Sequence, residues 1–167
     1  QTFDEARHVE VYHKYLRERI GWIYPIMPGL KLLLDKILPD PRWDLKFIGM
    51  QIIIEGLALA AFERQRASVM DPLLKDIFYL VIRDEARHVT FGVNYLEEFI
   101  ATLSEEERND RAEFAYEACV VMRNRFGSTN VLKHYGWDAE EAMKAQTGSE
   151  AMTLFNNLLF SKIMPNF

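Results

Sequence analysis

Asp4-Glu5-Ala6-Arg7-His8 and Asp84-Glu85-Ala86-Arg87-His88 are the same pentapeptide written twice in one chain. In each copy a carboxylate and an imidazole stand three residues apart. On a helix that spacing puts both on one face, one turn from each other. Two such helices facing each other offer two Glu and two His to a single point. One such string alone is a common solvated ion-pair motif, but two copies with an isolated Glu on an apolar stripe between them point to a metal site.

The 167-residue chain is 49% hydrophobic and 27% charged, the composition of one globular domain over residues 1–167 with a real core. Its formal net charge of −5 and its lack of a Lys/Arg cluster argue against nucleic acid or an anionic membrane surface as a partner. The apolar runs Ile52-Ile53-Ile54 and Leu57 to Phe62 are interrupted by Glu55, so no membrane span is expected. The single cysteine, Cys119, and the absence of a signal-peptide pattern point to a cytoplasmic setting. The chain opens at Gln1 in what reads as mid-helix, so an N-terminally shortened fragment or processed product is expected.

Periodicity predicts an all-α fold. Residues 1–19 read as the end of a helix, stopped by Gly21. Gly21, Pro25, Pro28, Gly29, Pro39 and Pro41 mark a crossover with a short helix from Leu30 to Leu38. Long helices are expected over 42–70 and 72–103, with Asp71 as N-cap and Pro72 at the first helical position of the second. Ser104, answered by Glu107, is a capping box opening a helix over 105–126. Gly127 to Asn130 reads as a loop, followed by helices over 138–146, capped by Asp138, and over 149–162.

Ile48, Ile52, Glu55, Leu59 and Phe62 form one stripe, and Phe78, Val81, Glu85, His88 and Gly92 form another. An ionised Glu on such a stripe is costly unless a cation compensates it. Glu55 to Met70 rises roughly 22 Å and Pro72 to Glu85 returns roughly 20 Å. On the other side, Glu5 to Arg19 is roughly 21 Å down and Arg42 to Glu55 roughly 20 Å up. All three carboxylates are thus expected at one level. Glu10 stands about 140° off the Glu5 face and is not a substitute ligand.

With these residues, about positions 1–100 resemble the di-iron carboxylate proteins of the ferritin-like superfamily. That group includes the ribonucleotide reductase small subunit, acyl-carrier-protein desaturases, bacterial multicomponent monooxygenases and N-oxygenases. Its ligand order is Glu, Glu-x-x-His, Glu, Glu-x-x-His. The chain supplies the last five as Glu5, His8, Glu55, Glu85 and His88. The resemblance implies a ferritin-like helix bundle, incomplete at the N-terminus and carrying additional C-terminal helices. It implies two iron ions, or manganese and iron, with one carboxylate bridging. Asp4 and Asp84 would orient the histidines across the bundle, and Arg7 and Arg87 would pair with these acids. Tyr12, one turn beyond His8, stands where the reductase carries a redox tyrosine. Val81 stands where the N-oxygenases of p-aminobenzoate type carry an extra His, which argues against that chemistry.

The function so implied is an O2-activating oxidoreductase acting on a small organic substrate by hydroxylation, desaturation or N-oxygenation, with an electron-transfer partner. The alternatives are an iron- or peroxide-handling protein of ferritin type and a structural module that has lost its metal. An apolar face left by the absent first helix implies a homodimer. His13 and His134 read as surface residues, Glu63 as solvated, and Cys119 as a small buried hydrophobe.

Overall fold

The computed structural model describes residues 1–125 and 129–147, together with Thr153 and Asn157. Among these there is no strand, and the all-α expectation holds. Helix α1 (Thr2–Tyr15) runs on through a π-helical stretch, Leu16–Ile20, and stops at Gly21. Gly21 adopts φ 78°, a left-handed conformation that suits glycine, and its N–H closes on the Leu16 carbonyl at 2.8 Å. Helix α2 (Pro28–Ile37) lies in the crossover. Helix α3 spans Trp43–Ser68, and its middle, Ile48–Ile54, is π-helical. Helices α4 (Pro72–Ile100), α5 (Glu105–Arg125), α6 (Thr129–His134) and α7 (Ala139–Thr147) follow.

The expected helix ends move by a few residues: α3 ends at Ser68 rather than Met70, and α4 at Ile100 rather than Leu103. Thr129 and Asn130, expected in a loop, begin α6 instead. The helix expected over 149–162 lies outside the described residues except at Thr153 and Asn157, both helical. The caps fall where local chemistry puts them. Asp71 accepts from the Leu73 and Leu74 N–H groups at 2.8 and 3.4 Å. Ser104 and Glu107 bond reciprocally at 2.9 and 3.3 Å. Asp138 accepts from the N–H groups of Glu140 and Glu141, both at 2.9 Å.

The α3–α4 hairpin is the frame. Gly92 makes it tight, because a Cβ there would stand 2.6 Å from the Gln51 Cβ. The apolar core, with Leu33, Ile37, Leu45, Ile53, Leu96 and Ala118, lies toward the start of α3 and the end of α4, where α2 and α5 close over it. By length and composition α3 could cross a membrane, but 56% of its apolar window is already buried by the rest of the protein. An ion pair from half-buried Arg111 Nε to buried Asp44 at 2.8 Å fixes α5 to the first turn of α3.

One expectation is corrected. The level calculation has α1 descending and α3 ascending from a crossover at a common end. In the structure α1 ends beside the α3–α4 turn, since the Tyr15 hydroxyl donates to Asp71 at 2.8 Å and Tyr12 packs on Phe62 and Phe78. Helix α1 is therefore parallel to α3 and antiparallel to α4, and residues 21–42 travel back along the bundle. Rise alone could not distinguish the two directions, because it fixes a level and not a sense.

Asp71 thus caps α4 and tethers α1 at once. Replacing it with Ala should cost about 1–2 kcal/mol for the cap and about 1 kcal/mol for the Tyr15 bond, and Tyr15→Phe only the latter. Urea denaturation of the two variants checks this; equal losses would contradict the double role.

Candidate metal centre

The antiparallel pairing of α1 and α4 makes the two pentapeptides reciprocal. His8 Nε2 lies 3.1 Å from Asp84 Oδ2, and His88 Nε2 lies 3.1 Å from Asp4 Oδ2. Each histidine is held by the aspartate of the other copy. The arginines hold the acids in turn. Arg7 donates to Asp4 and to Asp84, both at 2.7 Å, and Arg87 to Asp84 at 2.5 Å, with Asp4 at 3.5 Å. Burial raises the Asp84 pKa, but hydrogen bonds from His8, Arg7 and Arg87 outweigh it and hold the group at about 2. Asp4 is lowered as well, chiefly by the hydrogen bond from His88. Both acids therefore stay ionised acceptors, and an Nε2 facing one carries the proton.

The Nδ1 of each histidine, on the other side of the ring, points into a group of carboxylates. His88 Nδ1 lies 3.0 Å from Glu5 Oε1, 3.3 Å from Glu85 Oε2 and 4.0 Å from Glu55 Oε2. His8 Nδ1 lies 3.3 Å from Glu85 Oε1 and 3.7 Å from Glu5 Oε2. Glu5 and Glu85 thus each present one oxygen to each imidazole. The two rings sit 6.1 Å apart at 39°. Donor atoms of Glu5, Glu55, Glu85 and His88 all lie within 4.8 Å of one another. His8 stands outside that tight quartet, joined to it through Glu5 and Glu85.

These close approaches are not hydrogen bonds. Glu5 Oε1, His8 Nδ1, Glu55 Oε2, Glu85 Oε2 and His88 Nδ1 are all buried without a hydrogen-bond partner among the described residues. Each of the five residues expected as ligands contributes one such atom. Buried polar atoms are ordinarily satisfied, and leaving one unpaired costs about 1–3 kcal/mol. Lone pairs of acids and imidazoles gathered at one point are what a cation would satisfy, so the residues fit a metal.

Glu55 shows the strain in the cluster most clearly. Burial first, and then the charges of Glu85 and Glu5, push its pKa up to about 8 despite a hydrogen bond from Gln1. Glu85 is raised too, by burial and by the charge of Glu5. Tyr12 completes the upper end. Its ring packs on Phe62 and Phe78, its hydroxyl is buried without a hydrogen-bond partner among the described residues, and burial together with the Glu85 charge raises its pKa.

Two residues enter that the sequence reading did not single out. Gln1 Nε2 donates to Glu55 Oε1 at 2.8 Å, turning the other oxygen of Glu55 toward the cluster. Its place four residues before Glu5, on the same helical face, was the available signal. Gln51, one turn before Glu55 and packed on Gly92, has a buried Oε1 with no hydrogen-bond partner among the described residues. It was visible as the second polar residue in an isoleucine-rich run. Glu63, expected solvated, is half-buried, while His13 and His134 are exposed as expected. Cys119 is half-buried, and burial raises its thiol pKa.

Comparison with protein-family models, curated proteins and solved structures returned no match for this chain.

The Glu55 shift sets a pH dependence. Between the ordinary value of 4.5 and about 8, the metal-free folded state holds a proton that the unfolded chain has lost. Stability from this group is full below that window and falls as pH rises through it. Thermal unfolding of the metal-free protein should therefore show Tm decreasing from about pH 5 to about pH 8, with a shallower slope in Glu55→Gln. A Tm that rises across this range in the absence of metal would contradict the assignment.

Proposed function

We propose that this chain carries the dinuclear metal centre of an O2-activating di-iron, or manganese/iron, oxidoreductase built on a ferritin-like bundle. The observation that carries the reading is the convergence of five unpartnered ligand atoms, from three helices, on the space between two reciprocally braced histidines. His8 and His88 would each serve one ion through Nδ1. Glu5, Glu55 and Glu85 would supply the carboxylates, Glu55 beside His88. Carboxylate and imidazole donors suit iron or manganese, and no thiolate competes. A long crossover between parallel α1 and α3, followed by the antiparallel hairpin to α4, supports a ferritin-like bundle with one crossover.

A pair of redox-active ions so held would supply electrons to O2 and oxidising equivalents to a small organic substrate. The residues supply the setting. Asp4 and Asp84 keep the proton on Nε2 and so keep Nδ1 free for a metal. Arg7 and Arg87 neutralise these two acids, so the charge of the three glutamates remains for the ions. Phe62, Phe78 and Tyr12 keep water from one end of the site. An electron-transfer partner, a cytoplasmic setting and self-association through exposed aromatics such as Phe91 and Tyr95 belong to the same reading.

Anaerobic loading with Fe(II) should give two irons per chain by elemental analysis, and admission of O2 should develop a charge-transfer absorption band. Asp84→Asn should lower iron affinity by about 10–100-fold with helicity retained. No bound iron and no band would sink the proposal. Iron uptake and oxidation without any organic product would place the chain with iron- or peroxide-handling proteins instead.

A further inference from the structure

We infer that one end of the bundle, formed by the end of α1, the crossover segment that follows it and the α3–α4 turn, is a docking surface for an anionic phospholipid bilayer. This surface stands apart from the metal centre and needs no ion there. Every residue from Arg17 to Pro28 is exposed. Among them Ile20, Trp22, Ile23, Tyr24, Ile26 and Met27 are 44–71% exposed. The Tyr15–Asp71 bond at 2.8 Å joins this segment to the α3–α4 turn, which adds Met70 at 89% exposed and Leu73 at 43%. Single exposed apolar residues are ordinary on a protein surface, but a run of them gathered at one tip marks a contact surface.

The charges beside the tip select its partner. Residues 14–27 and 66–76 hold five basic side chains, Lys14, Arg17, Arg19, Arg66 and Lys75, against three acidic ones, whereas the rest of the chain holds fifteen against twenty-two. The tip is therefore positive on a negative protein. The net charge of −5 averages this away, and no cluster stands out along the chain because the fold assembles it from two separate stretches. Lys14, Arg17 and Arg19 are exposed, and Lys14 and Arg17 have no acidic partner among the described residues. A second copy of the chain would present the same positive fringe and be repelled by it, whereas acidic headgroups are complementary.

The residue types set the depth. Trp and Tyr settle at the headgroup level, apolar side chains beside them reach the acyl boundary, and Lys and Arg meet phosphate. From Trp22 to Met27 the backbone lies in no helix, and none of its N–H groups donates a hydrogen bond among the described residues. Such donors are excluded from hydrocarbon but satisfied at headgroup depth by water and phosphate oxygen. The tip thus lies on the bilayer rather than spanning it, with the Glu85 level of the bundle roughly 20 Å above the turn.

Co-sedimentation of the full chain with vesicles of equal parts phosphatidylglycerol and phosphatidylcholine tests this, with pure phosphatidylcholine vesicles alongside. Binding is expected to the mixed vesicles and should weaken as salt is raised. Trp22→Ser with Ile23→Ser should reduce affinity at least about tenfold. Lys14→Gln with Arg17→Gln should reduce it about thirtyfold, both pairs leaving circular dichroism unchanged. Phe91→Ser with Tyr95→Ser, on the flank of α4, should leave it within about twofold. No binding to mixed vesicles by a chain with native circular dichroism would overturn the inference, as would binding that neither tip variant weakens. A dimer in analytical ultracentrifugation that Trp22→Ser with Ile23→Ser dissociates, with no vesicle binding, would overturn it in favour of self-association.

Discussion

Two imidazoles turn their Nδ1 atoms toward carboxylate oxygens across 3.0–4.0 Å, and most of the structure serves to keep them there. Each ring could relieve the conflict by turning, but its Nε2 is tied to an aspartate, and each aspartate is tied to arginine. The conflict is thus built in. Without a cation, burial and then the charges of the neighbouring glutamates push Glu55 and Glu85 above the ordinary carboxylate range. With a cation the same atoms become a ligand set, and the protons must leave.

The bundle explains how one pentapeptide does this twice. Parallel helices would set aspartate beside aspartate and histidine beside histidine. Antiparallel helices set each histidine against the other copy's aspartate, and α1 and α4 are antiparallel. The direction of α1 depends on the crossover through α2, on the Tyr15–Asp71 bond at one end and on the Gln1–Glu55 bond near the other. The close approach of α3 and α4 at Gly92 lets Glu55 and His88 face each other one turn further along the hairpin.

Much of this was legible in the sequence, for a physical reason. Helical periodicity exposes which positions are buried, and Glu55, Glu85 and His88 are conspicuous as polar residues on apolar stripes that prove buried. Caps at Asp71, Ser104 and Asp138 are local chemistry and were read correctly. The sense of α1 was not legible, because helix lengths fix heights and carry no direction. Nor was the π-helical stretch Ile48–Ile54, since nothing in Ile-Gly-Met-Gln-Ile-Ile-Ile distinguishes it from α-helix until it is packed. Yet it immediately precedes Glu55, and wide turns of this kind often occur beside functional residues. The inequality of the two histidine environments was also hidden, because the two pentapeptides are identical and only the third helix breaks their symmetry.

The central claim is that the unpaired atoms are ligands. Anomalous difference maps at the iron edge, from crystals grown with Fe(II), test it most directly. Two peaks are predicted between the His8 and His88 rings, in contact with Glu5, Glu55 and Glu85. Iron bound elsewhere, or both Nδ1 atoms hydrogen-bonded to water or carboxylate with no peak between them, would contradict the account.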